Sequence, residues 1–327
     1  MFTARFFRRW RARLNAFDRS DAALLDLLAA LRAEAYRFVT ITPASHARVL
    51  ARDTSRHARS LTDVFGWSLP FAPGFLPAGL DDLLQRSGML DEDLPLHRSR
   101  VRVSTVGGSN YLHSAYPTSA EDAVFLGPDS YRFADLIADE LTARPTSRCA
   151  RVVDIGVGSG VGALTAASLS PGATILGTDP NPQALRLARI NAAAACVSLD
   201  TFETSGLGGV DGSFDLALLN PPYIVDEDER AYRHGGGMHG GELSLSLATE
   251  ALARLAPGGR LILYTGSAIV SGHDRLGAAL SEAASTQECT LRYREIDPDV
   301  FGEELANPAY AEVDRIALVA AIFTRAG

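Results

Sequence analysis

The chain has 327 residues, of which 46% are hydrophobic, and its formal net charge is −8 at pH 7. This length favours two domains, and the apolar content excludes a disordered chain. The acidic balance argues against a large nucleic-acid footprint, and no apolar run is long enough to cross a membrane. The cysteines, Cys149, Cys196 and Cys289, lie far apart without metal-ligand spacing. We therefore expect reduced thiols, no metal site and a cytoplasmic protein.

Residues 1–95 carry mostly helical patterns, and they begin with an arginine-rich stretch. The first predicted helix covers 22–36, with Ser20 or Asp21 as its cap, and the second covers 41–53, with Pro43 in its first turn. A packed loop is predicted over 60–75, and a third helix over 80–88. The basic start indicates either an exposed helix or a contact with RNA, an acidic protein or a membrane surface. We predict a helical N-terminal domain over residues 1–95 that selects the substrate.

A β-hairpin is predicted between residues 98 and 116, because apolar and polar residues alternate on both sides of the Gly107-Gly108 turn. It lies in a linking segment, residues 96–120, between the helical domain and the rest of the chain. His113 lies in the hairpin and His97 beside it, and we assign structural roles to both.

Strands and helices alternate over the remaining residues, 121–327, which we predict to form one domain. The predicted strands are 151–155, 174–178, 196–199, 214–219, 260–265, 290–296 and 315–323, and the predicted helices are 131–142, 161–169, 181–194, 243–255 and 272–285. Such alternation favours a parallel sheet with right-handed crossovers, and the last two strands, which have no helix between them, favour an antiparallel pair. Ligands bind such sheets at the carboxyl ends of the strands.

Three strand ends carry residues suited to ligand binding. The first strand breaks into a turn containing Gly156, Gly158 and Gly160, where the backbone can approach a ligand closely. The second ends at Asp179, about twenty residues later, where a carboxylate can accept the hydroxyls of a ribose. The same residue could instead cap the next helix. A third apolar strand ends in Asn-Pro-Pro-Tyr, residues 220–223.

Together these motifs resemble the class I S-adenosylmethionine-dependent methyltransferases that carry an Asn-Pro-Pro-Tyr signature, and most closely the HemK/PrmC-type protein-glutamine methyltransferases. The resemblance covers residues 121–327. It is carried by DIGVGSG at 154–160, GTDPNPQALRLARINA at 177–192, NPPYI at 220–224 and HGGELSLSLATEALARLAPGGRLIL at 239–263. It implies an α/β fold with a Rossmann-like, mostly parallel sheet whose last strand is antiparallel.

The resemblance also implies how S-adenosyl-L-methionine is held. Its methionine part lies over the glycine turn, and Asp154 supports that turn and the cofactor's amino group. Pro180 and Asn181 flank the adenine. Phe125 and Tyr131 lie in a segment that covers the cofactor, although this segment could also be a plain helix start capped by Asp129 or Ser130.

One feature departs from the family pattern. Many members place an aspartate after the third strand to accept the adenine amino group, whereas this chain has Glu203, Thr204 and Ser205 there. The sequence therefore leaves the mode of adenine recognition open.

The catalytic residues implied by the motif are Asn220, Pro221 and Tyr223. A planar amide or amine is a poor nucleophile because its lone pair is delocalised. The Asn220 side-chain oxygen and the Pro221 carbonyl can each accept one N–H, which fixes the nitrogen before the methyl group, and two prolines stiffen the loop. Tyr223 can stack on the planar group. No Ser-His-Asp or Cys-His arrangement competes for the role.

The leading hypothesis is methylation of a protein glutamine side chain. The alternatives are methylation of a nucleic-acid base amino group, a small-molecule biosynthetic enzyme, and a cofactor-binding module without turnover. The oligomeric state stays open. We further expect a mobile lid over 225–244, a pocket mouth formed by 264–267, and another pocket wall from the link between the last two strands.

Overall fold

The computed structural model describes residues 17–53, 56–77, 79–93, 95–226 and 233–327. The predicted basic helix in residues 1–16 lies outside this part of the chain. The N-terminal helices are α1 (Arg19–Ala33), α2 (Pro43–Leu50), α3 (Leu61–Phe65) and α4 (Leu80–Ser87). Within the described residues, no helix is both long enough and apolar enough to span a membrane.

The helix starts follow from capping side chains. Helix α1 is capped by Asp18, which accepts a hydrogen bond from the Asp21 backbone N–H at 2.8 Å, so the predicted caps Ser20 and Asp21 are wrong by two or three residues. Helix α2 has Pro43 in its first turn as predicted, but it is shorter at both ends than the predicted 41–53. The stretch predicted as a loop contains the five-residue helix α3, capped by Ser60, which is too short to show helical periodicity.

Two hairpins follow the helices: β1 (Leu90–Asp93) with β2 (Leu96–Ser99), and β3 (Val101–Val106) with β4 (Ser109–Ser114). The second is the predicted hairpin, with its turn at Gly107-Gly108 and Val106 paired to Ser109. The first was not predicted, because the acidic sequence LDED of β1 lacks a strand-like pattern.

The remaining elements form the predicted α/β fold. The strands are β5 (Arg151–Ile155), β6 (Thr174–Asp179), β7 (Asp200–Glu203), β8 (Phe214–Leu219), β9 (Leu255–Val270), β10 (His273–Asp274), β11 (Cys289–Asp297) and β12 (Arg315–Arg325). The helices are α5 (Pro128–Ala143), α6 (Val161–Leu169), α7 (Pro182–Ala194), α8 (Glu242–Ala253) and α9 (Arg275–Thr286). The sheet has the order β11-β12-β9-β8-β5-β6-β7, and β12 runs antiparallel to both of its neighbours.

Two strands differ most from their predicted bounds, while β6, β11 and β12 extend only one or two residues beyond theirs. Strand β7 begins at Asp200 rather than at residue 196, because Val197 N–H still bonds to Ala192 O at 2.9 Å and ends helix α7. Strand β9 continues to Val270, five residues beyond its predicted end. As a result, residues 264–267 are buried inside the sheet, and the prediction that they form a pocket mouth is wrong.

The N-terminal helices share a hydrophobic core with the α/β part of the chain. Leu24 and Phe65 belong to the same buried cluster as Leu187 and Ile190 of α7. Each such side chain contributes about 1.5–3 kcal/mol through burial. The predicted boundary near residue 95 is therefore not a break in packing, and the division into domains stays a prediction.

Candidate active site

The glycine turn lies at the carboxyl end of β5. Gly156, Gly158 and Gly160 all have positive φ angles, of 73°, 51° and 87°, which non-glycine residues rarely adopt. Gly156 N–H donates to Thr178 O on β6 at 2.8 Å, which fixes the start of the turn to the neighbouring strand. A Cβ at Gly160 would lie 3.5 Å from the Ala188 backbone, so the turn also packs closely on α7.

Two carboxylates bracket this turn. Asp154, in β5, is 2% exposed and accepts a hydrogen bond from Ala163 N–H at 2.7 Å. Burial, together with the nearby Asp179, raises the pKa of Asp154 well above its ordinary value. Asp179, at the end of β6, accepts from Gly158 N–H and Asn181 N–H, both at 2.9 Å. Its pKa is also raised by burial. A ligand that brings positive charge and hydroxyl groups would stabilise both carboxylates.

The cap of α7 is Asn181 and not Asp179. Asn181 Oδ1 accepts from Gln183 N–H at 2.9 Å, and its Nδ2 donates to Asp122 O at 2.9 Å. The Asn181 amide is thus already engaged with protein, while Pro180 is exposed. Contacts of these two residues with an adenine remain predictions.

Asn191, on α7, is a site residue that sequence reasoning missed. It is 1% exposed, and its Oδ1 accepts from Leu112 N–H at 2.8 Å. Its Nδ2 donates to Leu112 O at 3.0 Å and to Ser159 O at 2.8 Å. One side chain therefore joins β4 to the glycine turn. The residue lies within the matched stretch 177–192, but its role depends on a contact between segments 79 residues apart.

Asn220 follows β8 directly and lies at the same edge of the sheet as the glycine turn, because Leu219 pairs with Ile155. The Asn220 side chain is half-buried and makes no hydrogen bond with the described part of the chain. The Pro221 carbonyl likewise has no partner among the described residues. Neither of the two acceptors that the motif predicts is therefore engaged by another described residue, although Pro221 itself is buried.

Tyr223 is 7% exposed and faces protein rather than an open cleft. Its ring lies over Gly266, where any Cβ would collide with it, and meets Phe301 edge to face at 5.9 Å between ring centroids. A stacking contact with substrate therefore stays a prediction.

Helix α5 begins at Pro128, with Gly127 as its N-cap. The alternative caps, Asp129 and Ser130, are therefore wrong. The Ser130 hydroxyl instead accepts from Gly127 N–H at 3.4 Å, and Asp129 accepts from the Tyr264 hydroxyl at 2.9 Å. The first turn of α5 is thus tied to β9.

The two predicted cofactor residues beside this helix start lie in different surroundings. Phe125 is half-buried, and its ring lies over Gly127. The Tyr131 hydroxyl accepts a hydrogen bond from Thr40 N–H at 3.0 Å and so faces the N-terminal region. Their contacts with a cofactor stay predictions.

The predicted mobile lid is partly packed. Gly235 N–H donates to Ile224 O at 2.8 Å, and Leu243 N–H donates to Gly235 O at 3.0 Å. Val225 N–H donates to the Tyr310 hydroxyl at 2.7 Å, so the link between β11 and β12 supports the same segment. Residues 227–232 of the predicted lid lie outside the described residues.

Known proteins resemble this chain at the level of sequence. Residues 132–288 match the family described as methyltransferase small domain. A release factor glutamine methyltransferase of Deinococcus radiodurans is 38% identical over 123 residues, which cover 35% of this chain and 44% of the relative. A release factor glutamine methyltransferase of Cereibacter sphaeroides is 36% identical over 168 residues, covering 47% of this chain and 57% of the relative. The chain thus spans about half the length of these curated relatives.

Solved structures resemble the chain more distantly. A ribosomal protein L11 methylase from Lactobacillus delbrueckii subsp. bulgaricus superposes with a TM-score of 0.41 and 18% identity, covering 60% of this chain and 80% of that one. At this level of similarity the comparison says nothing about the reaction of this chain. Within the described residues, no group of three or more His, Cys, Asp or Glu side chains is arranged to hold a metal ion.

Proposed function

We propose that the chain is a class I methyltransferase of the HemK/PrmC type, with S-adenosyl-L-methionine as its cofactor, and that it methylates the side-chain nitrogen of a protein glutamine, since residues 132–288 match the methyltransferase small domain. The observation that carries the proposal is the pair of free acceptors at the sheet edge, the Asn220 amide and the Pro221 carbonyl. Both stand beside a glycine turn flanked by two buried carboxylates.

The residues at the turn fit the cofactor. Asp179 would accept its ribose hydroxyls, and Asp154 would support the turn beneath its ammonium group. These two carboxylates are buried with raised pKa values, so a cationic ligand relieves an existing electrostatic cost. When bound, the cofactor supplies an electrophilic methyl group on a sulfonium.

The protein's contribution to the reaction is positioning. The Asn220 oxygen and the Pro221 carbonyl would each accept one N–H of the planar amide, which holds the nitrogen in line with the methyl group. These acceptors also become stronger partners as the nitrogen gains positive character, so they favour the transition state over the ground state. Pro221 and Pro222 keep the acceptors aimed, since proline fixes its own φ.

We also propose a division of labour along the chain. Residues 1–95 would select the substrate, 96–120 would link, and 121–327 would bind the cofactor and catalyse. Support comes from the ion pair of Arg186 with Asp21 at 2.5 Å, which fixes the first helix to the helix that follows Asp179. The net charge of −8 favours a protein over a nucleic acid as substrate.

The test is methyl transfer from labelled cofactor to a purified bacterial peptide-chain release factor, followed by digestion and mass spectrometry. The proposal predicts one methyl group on a glutamine side chain, with transfer by the Asn220→Ala variant slower on the order of 10²–10³-fold at matched enzyme concentration. A cell extract separated into protein, RNA and small-molecule fractions runs in parallel. Label confined to RNA or to small molecules would overturn the proposal, as would cofactor binding without transfer to any fraction.

A further inference from the structure

Asp129 lies in the first turn of α5, beside the hydroxyls of two tyrosines from other parts of the fold. The Tyr264 hydroxyl donates to its carboxylate at 2.9 Å. The Tyr223 hydroxyl lies close to the same carboxylate, is buried, and completes no hydrogen bond of good geometry. Arg132, one helical turn along, approaches the carboxylate at 3.9 Å.

The Asp129 carboxylate does not cap its own helix. Gly127 occupies the N-cap position of α5, and the Gly127 backbone N–H is met by the Ser130 hydroxyl. Burying a carboxylate lowers the stability of the fold unless hydrogen bonds and opposite charges compensate for its lost hydration. Apart from Arg132 on the same helix, the side chains beside Asp129 come from β9 and from the Asn-Pro-Pro-Tyr loop, and these two segments are what Asp129 can hold in place.

The contacts of Tyr264 and Tyr223 show which segments Asp129 connects. Tyr264 follows Leu263, which pairs with Leu219, the residue just before Asn220. The ring of Tyr223 is confined on its other sides by Gly266 and Phe301. A single carboxylate therefore connects the start of α5, strand β9 and the loop that carries Asn220.

We propose that Asp129 is a positioning residue, which through the hydroxyls of Tyr264 and Tyr223 sets the loop 220–223 and ties it to the segment before α5. The inference rests on the proposed function, because the loop's acceptors matter only if they orient a nitrogen. Asp129 itself touches no substrate. Its loss should therefore lower the rate of methyl transfer and leave cofactor affinity almost unchanged.

The protonation state of Asp129 gives a further readout. Burial raises its pKa, while the Tyr264 and Tyr223 hydroxyls and Arg132 act in the opposite direction. Arg132 also forms an ion pair with Asp297 at 3.3 Å, so a second carboxylate lies near Asp129. The ionised carboxylate is a stronger acceptor for the two phenol hydroxyls than the neutral acid, so transfer should slow as the pH falls through the raised pKa. An asparagine at residue 129 should remove that part of the pH profile.

The experiment compares Asp129→Ala and Asp129→Asn with Asp135→Asn, a matched control on the exposed face of the same helix. In single-turnover methylation of a purified release factor, we expect Asp129→Ala to be about 10- to 100-fold slower, with the asparagine variant in between and the control unchanged. Tyr223→Phe should slow the wild type but add little in the Asp129→Ala background, because both changes remove the same contact. Wild-type rates in Asp129→Ala, or fully additive effects, would overturn the inference.

A substrate-independent measurement separates this inference from the proposed function. Hydrogen exchange of the peptide spanning residues 214–226 should be faster in Asp129→Ala than in wild type or in Asp135→Asn, at equal melting temperature and equal affinity for S-adenosylhomocysteine. If the wild type does not methylate the release factor, the proposed function fails. The hydrogen-exchange rates alone then test whether Asp129 positions the loop. Unchanged exchange in Asp129→Ala would refute the positioning role whether or not the release factor is a substrate.

Discussion

Replacing Asn191 with leucine tests how strongly the hairpin is joined to the glycine turn. Leucine has nearly the same shape, but it leaves Leu112 N–H, Leu112 O and Ser159 O without the partners that now lie at 2.8, 3.0 and 2.8 Å. Leaving a buried polar group unpaired costs about 1–3 kcal/mol. The three costs are not fully additive, and the leucine returns some apolar burial, so we expect a loss of about 3–5 kcal/mol. That is a large share of the total stability of an ordinary domain.

Urea unfolding followed by circular dichroism measures this loss, and calorimetry with S-adenosylhomocysteine measures the effect on the turn. The matched control is Asn307→Ala, because the Asn307 side chain accepts a single hydrogen bond in the described part of the chain, from Ala309 N–H at 2.9 Å, at the protein surface. That control should lose about 1 kcal/mol or less. A loss below about 1 kcal/mol for Asn191→Leu, or a loss equal to that of the control, would refute the reasoning.

The remaining predictions concern the two carboxylates of the turn. Asp179→Ala should weaken the binding of S-adenosylmethionine by about 1–3 kcal/mol, measured by calorimetry, and unchanged affinity would show that Asp179 does not hold the ribose. Asp154→Asn should raise the melting temperature near neutral pH while weakening cofactor binding. The pKa of Asp154 is raised in the folded protein, so its ionisation removes stability as the pH rises from the unfolded toward the folded pKa. Thermal melts across that range should flatten in the variant, and a wild-type pH dependence would contradict the assignment.

The sequence predicts best where one short stretch decides the structure. Strand β5, helix α6 and strand β8 begin and end at the residues expected, because each is a mostly apolar run bounded by polar or turn-forming residues. The placement of Gly156, Asp179 and Asn220 at one edge then follows from the rule for parallel sheets. Their contacts with ligand remain predictions.

Sequence patterns could not predict the polar contacts that hold the site together. Asn191 meets Leu112 across 79 residues, and Asp129 meets Tyr264 across 135. Hydrophobic periodicity reports which face of an element is buried, and it carries no information about which distant polar group that face meets. The same limit explains why Tyr264 was expected at a pocket mouth although it is 0% exposed.

The most direct test of the central claim is single-turnover methyl transfer by Asn220→Ala, with cofactor affinity measured in parallel. Asn220 lies beside the glycine turn, and its side chain has no partner in the described part of the chain. Removing one preorganised acceptor should lower the transfer rate on the order of 10²–10³-fold. The affinity for S-adenosylhomocysteine should barely change, because the Asn220 side chain is proposed to face the substrate. Transfer at the wild-type rate by Asn220→Ala would contradict nitrogen methylation at this site.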